Sequence, residues 1–447
     1  MLRTLSRSVA RSFAPAPRCL SSSSSSSSFS SSSSSSSSSA AHDEHLSAFE
    51  QSVGNTRLLR LRGPSAATGC DIYGKAEYEN PGGSVKDRPA LAMIREAEAA
   101  GVLVRGEPGI VVEGTAGNTG IGLALAAKTL GYETVIVLAD TQSEEKKDTL
   151  RWAGARLVEV PAVPYRDGNN YVHVAARLAE RLSEQQAALP GGAGARVFYA
   201  NQVRVYSLTP PLVCFLLRLD SLTHSLTHSL TPPLLTHANQ TNQWDNLANR
   251  RAHATTTGPE IWRQTEGRVD AFSCAMGTGG TLAGVSEALR SLSGGAVRIG
   301  LTDPEGAAIV SYLRTGELAS QGSSISEGIG QGRVTGNMAG FRPDEDLIFE
   351  VPDAEMLPVL QRMQADEGIC LGGSAGVNVA GAMRVARALG PGHTVVTVLC
   401  DGAGRYAGKL YNTQFLATRG LPQPPWLQHP MQLPDGLLES CIIPGSA

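Results

Sequence analysis

The 447-residue chain is poor in cysteine, in aromatic residues and in clustered charge. Its seven cysteines, Cys19, Cys70, Cys214, Cys274, Cys370, Cys400 and Cys441, are odd in number and dispersed, and none forms a C-x-x-C pair. That excludes a disulfide framework or a zinc ribbon and predicts reduced thiols, mostly in the core. His42 and His45 lack the H-E-x-x-H spacing and have no ligand cluster beside them, so no metal is expected. No apolar run reaches about 18 residues, so no membrane span is expected. Net charge is −3 with no run of Lys or Arg in the body. Nucleic acid is therefore not expected as a partner, because phosphate neutralisation needs clustered cations.

Acidic residues are missing altogether before Asp43. In their place Arg3, Arg7 and Arg11 recur every fourth residue, and Leu2, Leu5, Val9 and Phe13 supply an apolar side. An arginine-rich, serine-rich, acid-free start reads as an organelle transit peptide, mitochondrial in preference to plastid. The serine tract 21–39, broken only by Phe29, cannot bury a core. Residues 1–42 are thus set apart from a main region 43–427, and the Pro/Gly-rich tail 428–447 has no reading.

What the chain has in quantity is glycine, 49 residues, punctuating β-branched and helical runs. Strands are predicted at 110–112, 134–138, 156–160, 271–275, 297–301 and 395–400. Helices are predicted at 90–100, 121–130, 144–152, 282–292, 353–367 and 376–389. This alternation predicts an α/β fold: two open, twisted, mostly parallel sheets covered by helices, the smaller unit at about 88–200, with a site in the cleft between them. Residues 203–243 break the pattern. Pro210-Pro211 and Pro232-Pro233 flank a repeat of Ser-Leu-Thr-His from Ser221 to Thr231, which a TCAC tetranucleotide encodes when read in triplets. Asn201-Gln202 recurs as Asn242-Gln243. A retained in-frame intron accounts for both features; a genuine surface insertion is the alternative.

Four glycine-rich turns carry chemistry. In Asn80-Pro81-Gly82-Gly83-Ser84-Val85-Lys86-Asp87-Arg88-Pro89, a lysine stands ahead of a helix start. Desolvated there, its amine loses its proton more readily and can condense with a carbonyl, as with pyridoxal phosphate; alone, the motif reads more readily as a solvated turn lysine. Gly277-Thr278-Gly279-Gly280-Thr281 lies between a predicted strand and helix, where successive N–H groups cup a phosphate. It is not the dinucleotide G-x-G-x-x-G, because Leu282 occupies the last position. Thr115-Ala116-Gly117-Asn118-Thr119-Gly120 can hold a carboxylate or serve as an ordinary N-cap turn. Gly372-Gly373-Ser374-Ala375-Gly376 places a hydroxyl among glycines.

Taken in order, with Gly54-Asn55-Thr56, Thr257-Gly258-Pro259-Glu260-Ile261-Trp262 and Ser326-Glu327-Gly328-Ile329-Gly330, these turns resemble the cysteine synthase/cystathionine β-synthase family of pyridoxal-phosphate enzymes, from about Gly54 to Trp426 apart from the insert. The resemblance implies the tryptophan synthase β-like fold (fold type II) and the O-acetylserine sulfhydrylase reaction, in which L-cysteine forms from O-acetyl-L-serine and sulfide through an aminoacrylate. It further implies that Lys86 joins the cofactor, Gly277, Thr278, Gly279, Gly280 and Thr281 bind its phosphate, Asn118 meets the ring 3′ oxygen, and Ser374 meets the pyridine nitrogen. Thr115, Ala116, Asn118, Thr119 and Gln202 would hold the substrate carboxylate. A homodimer and a serine acetyltransferase partner are implied as well. Ala116 replaces a serine common in the family and removes a donor, and Ala403 is smaller than the residue expected beside the ring. Cystathionine synthesis, cysteine desulfhydration, and a non-catalytic binding role for the cleft stay open as alternatives. Reads of mature transcript joining the Gln202 codon directly to the Trp244 codon are the expected outcome for the insert; abundant reads through the repeat with no such junction would exclude an intron.

Overall fold

The computed structural model describes residues 46–115, 117–164, 167–189, 194–200 and 246–428. The expected transit peptide 1–42, Ala116, Gln202, the stretch 203–243 and the tail beyond Gln428 lie outside the described residues.

Two sheets organise the chain. The first strands are β1 (Leu58–Arg60) and β2 (Asp71–Ala76), followed by β3 (Gly109–Gly114), β4 (Glu133–Ala139), β5 (Ala155–Val160) and β6 (Arg196–Tyr199). Then come β7 (Ala271–Cys274), β8 (Arg298–Pro304), β9 (Ile348–Val351) and β10 (Thr394–Leu399). Strands β5-β4-β3-β6 make a four-stranded sheet, and β1-β2-β10-β7-β8-β9 make a six-stranded one. Every pairing is parallel except β1 with β2. Every residue of β3 and β7 is buried, as a parallel strand covered on both faces requires.

Helices α1 (Asp87–Ala99), α2 (Asn118–Leu130), α3 (Glu144–Trp152), α4 (Gly280–Leu292), α5 (Asp353–Glu367) and α6 (Gly373–Leu389) cover the sheets. Ala90, Leu91, Ile94 and Ala97 give α1 its buried stripe, packed with Leu123 and Leu130 of α2. Gly131, at φ +89°, ends α2 in the left-handed conformation that suits glycine. Helix α6 is buried almost throughout; a Cβ on Gly381 would run into Thr302 of β8, so this glycine sets the close approach of helix to sheet. No helix among the described residues is long and apolar enough to cross a membrane.

Four helices begin earlier than the apolar pattern predicts, at Asp87, Asn118, Gly280 and Gly373. The first helical turn exposes unpaired N–H groups and takes small or polar residues, so the apolar stripe starts only in the second turn. Among the described cysteines Cys70 and Cys274 are buried, Cys400 is half-buried and Cys370 is exposed, and all are free.

A buried ionic cluster anchors the start of α1, directly after Lys86. The Arg88 guanidinium donates to Glu77 at 2.7 and 2.8 Å and to Glu260 at 2.7 and 2.8 Å. Lys75 Nζ lies 2.6 Å from Glu260 Oε2 and donates to the Thr56 carbonyl at 2.6 Å. Burial alone would raise the Glu260 carboxyl; Arg88 and then Lys75 outweigh it and bring it down to about 2. Removing one member of such a cluster strands opposite charge in the core. Arg88→Met should cost about 3–5 kcal/mol in urea unfolding, and a loss below about 1 kcal/mol would contradict the cluster's role.

At the end of β8, Asp303 Oδ1 accepts the Met276 N–H at 2.6 Å, while the buried Oδ2 has no partner. Burial, only partly offset by that bond, raises the carboxyl from 3.8 to about 7. The folded state holds a proton that the unfolded chain releases, so this contribution is complete below 3.8 and drains away as pH rises to about 7. Unfolding of the wild type and Asp303→Asn across that range should show the wild type's relative stability falling; parallel curves would refute the assignment.

Candidate active site

The four turns singled out above leave the carboxyl ends of β2, β3 and β7 or open α6, and they converge on one cavity of about 990 Å³. Lys86, Thr115, Asn118, Thr119, Thr278 and Ser374 line it. A small adjoining cavity, about 30 Å³, shares Lys86 and Thr278 with it and reaches Gly277, Gly279 and Thr281. Gly280 sits behind these, where a Cβ would strike Asn249. The structure thus gathers the described members of the expected set at one place; Ala116 and Gln202 lie outside the described residues.

Lys86 is the N-cap residue of α1, and its backbone N–H donates to Ser84 Oγ at 3.2 Å. The preceding loop is tightly tied. Gly82 N–H donates to Asp87 Oδ2 at 2.5 Å, and Asn80 Nδ2 donates to the carbonyls of Glu77 at 2.9 Å and Ser84 at 3.1 Å. Gly83 takes φ +74°. The lysine side chain keeps some accessible surface because it faces the cavity, but the walls strip its amine of bulk water. That desolvation lowers its pKa, opposed by the nearby Cys400, Asp401 and Cys274.

The Gly277–Thr281 turn has Gly279 at φ +84°, and a Cβ on Gly277 would press on the Gly328 carbonyl. Thr278 is fixed on both sides: its Oγ1 accepts from Asn249 Nδ2 at 2.8 Å, and its carbonyl accepts from Thr335 at 2.7 Å. Thr281 Oγ1 lies 3.1 Å from Nε2 of the buried His253, whose Nδ1 lies 2.9 Å from Thr257 Oγ1. His253 opens a π-helical turn, His253–Thr257. Burial, then Arg88 and Lys86, lower its pKa well below the usual histidine value, which keeps the ring neutral. An unhindered cup at a helix N-terminus beside a desolvated lysine fits a group carrying both a phosphate and an aldehyde.

Sequence reasoning left several residues of this neighbourhood without a role. Asn378 accepts from Ala275 N–H at 2.7 Å and donates to the Val398 carbonyl at 2.7 Å and to Cys400 Sγ at 3.3 Å, tying α6 to β7 and β10. Asp401, Arg405 and Tyr406 stand in the cavity wall, on the turn that leaves β10. The signal available was the position itself, a glycine-rich turn following a buried parallel strand. At the cavity mouth Glu327 accepts from both Lys146 of α3 and Lys409. Lys146 Nζ also sits 5.9 Å from the centre of the Tyr406 ring.

The pyridoxal-phosphate dependent enzyme family matches residues 49–207 and 235–401. Cysteine synthase 1 of Neurospora crassa is 44% identical over 375 residues, covering 83% of this chain and 84% of that protein. A Saccharomyces cerevisiae protein named, provisionally, a mitochondrial cysteine synthase is 32% identical over 373 residues, covering 81% and 83%. The crystal structure of O-ureido-L-serine synthase superposes with a TM-score of 0.63 at 28% identity, covering 86% of this chain and 99% of that one. A match over most of the chain, on a site built around a walled-in lysine and a glycine cup, places the chain in the pyridoxal-phosphate dependent enzyme family.

Proposed function

We propose that the chain makes L-cysteine from O-acetyl-L-serine and sulfide, releasing acetate. The observation that carries this reading is the shared cavity of the Lys86 amine and the Gly277–Thr281 turn. Pyridoxal phosphate, when bound, supplies the electron sink that acidifies the substrate's α-carbon. Lys86 would hold its aldehyde, Gly277, Thr278, Gly279, Gly280 and Thr281 its phosphate, Asn118 its ring oxygen and Ser374 its ring nitrogen. Thr115, Asn118 and Thr119 orient the substrate carboxylate, with Ala116 and Gln202 assigned there by sequence. Because its pKa is lowered, the Lys86 Nζ serves both to take the α-proton and to return it. A neutral hydroxyl at Ser374, in place of a carboxylate, suits β-elimination better than transamination.

The cysteine synthases among the relatives support this substrate pair over serine with homocysteine. The acid-free start and the yeast relative's name support a mitochondrial destination. The homodimer and a serine acetyltransferase partner rest on the family resemblance.

Borohydride reduction of the loaded protein, followed by digestion, should leave the pyridoxyl label on the peptide that contains Lys86. Lys86→Ala should lower turnover of O-acetylserine with sulfide about a hundredfold or more. Label on another peptide, or cysteine formed only from other substrates, would overturn the reading.

A further inference from the structure

The turn that leaves β10, Cys400 to Tyr406, touches three of the four turns of the candidate site. The Val85 N–H donates to the Cys400 carbonyl at 2.9 Å, and Ser84 pairs with Asp401 in an isolated antiparallel bridge. The Gly372 N–H, two residues before Ser374, donates to the Asp401 carbonyl at 3.0 Å. From the same turn, two side chains reach across to Asn118, the first residue of α2. Asn118 Nδ2 donates to Asp401 Oδ2 at 2.7 Å, and Arg405 Nη1 donates to Asn118 Oδ1. Tyr406 donates its hydroxyl to the same Asp401 oxygen at 2.6 Å, and Arg405 Nη2 donates to the Gly82 carbonyl in the lysine loop.

An asparagine amide is nearly symmetric in shape, and its oxygen and nitrogen ends exchange by a flip about one torsion. Here a flip would set the amide hydrogens against a guanidinium, which has only donors, and the amide oxygen against a carboxylate. Both contacts would be repulsive, so the charged pair dictates which end of Asn118 is which. The Nδ2 atom has two hydrogens, and Asp401 takes one. The other remains for the cavity that Asn118 lines. Asp401 is 1% exposed, so its grip is not diluted by solvent.

We propose that Asp401 and Arg405 are positioning residues, which fix the Asn118 amide so that its second N–H points at the ring oxygen of the cofactor. This rests on the assignment of pyridoxal phosphate to this cavity. A donor aimed at that oxygen stabilises its anionic form, and that form carries the visible absorption of the lysine-bound cofactor. Arg405 also donates to the Gly82 carbonyl, which holds the guanidinium where it meets Asn118.

The test is a double-mutant cycle on the loaded full-length protein, read by its absorption spectrum without substrate and by kcat/KM. Arg405→Met should move absorbance from the visible into the near-ultraviolet band and lower kcat/KM about tenfold, the loss of one charge-assisted hydrogen bond. In an Asn118→Ala background the same substitution should change neither reading, and Arg405→Lys should restore part of both. Asp401→Asn, which keeps the shape and loses the charge, carries the same cycle should Arg405→Met fail to fold. Equal losses in both backgrounds, or an unchanged spectrum, would overturn the proposal. Absence of borohydride label at Lys86 in the wild type would instead sink the cofactor assignment, and the two failures are told apart by that peptide.

Discussion

An ammonium group taken out of water must find counter-charge or surrender its proton, and the site is arranged around that choice at Lys86. Its neighbours are two thiols and one carboxylate, and that carboxylate is already engaged by Asn118 and Tyr406. Compensation is therefore incomplete, and the amine drifts toward its neutral, nucleophilic form. A few residues away the chain solves the same problem in the opposite sense. Arg88 is buried too, but Glu77 and Glu260 meet it directly and raise its pKa. The two environments sit at either side of one helix start: one holds charge in place and keeps the loop rigid, while the other gives charge up and leaves an amine ready to react.

Parallel strands supply the frame for this arrangement. Each leaves its sheet at the carboxyl end, and the peptide N–H groups of the following turn face outward there. β7 delivers the Gly277–Thr281 cup, β3 the Asn118 loop, β2 the lysine loop and β10 the Asp401 turn. The Asp303 carboxyl and Asn378 sit behind these turns, bonding to Met276 and Ala275, so the cup is fixed from inside the sheet as well as from its own helix.

The chemistry-bearing turns were legible in the sequence because each is continuous and rich in glycine and hydroxyl groups. The pattern of strands and helices was legible for a similar reason: β-branched runs and apolar stripes are local signals. Elements that depend on distant partners were not. Strand β1 is only three residues long and exists through its pairing with β2, and β9 depends on β8. Asn118 and Asp401 stand 283 positions apart, and nothing near either one announces the other. His253 lies in an ordinary-looking threonine-rich stretch, and its bond to Thr281 spans 28 positions.

The rim of the cavity carries one more consequence. Glu327 belongs to the segment between the helix Ala308–Thr315 and β9, Lys146 to a helix over the other sheet, and Lys409 to the segment following the β10 turn. The Lys146 and Lys409 side chains are 13% and 48% exposed, so the staple stands partly in the solvent. Its strength belongs to the surrounding electrolyte as much as to the chain: dissolved ions screen these partly exposed charges, while the buried contacts deeper in the wall are screened far less.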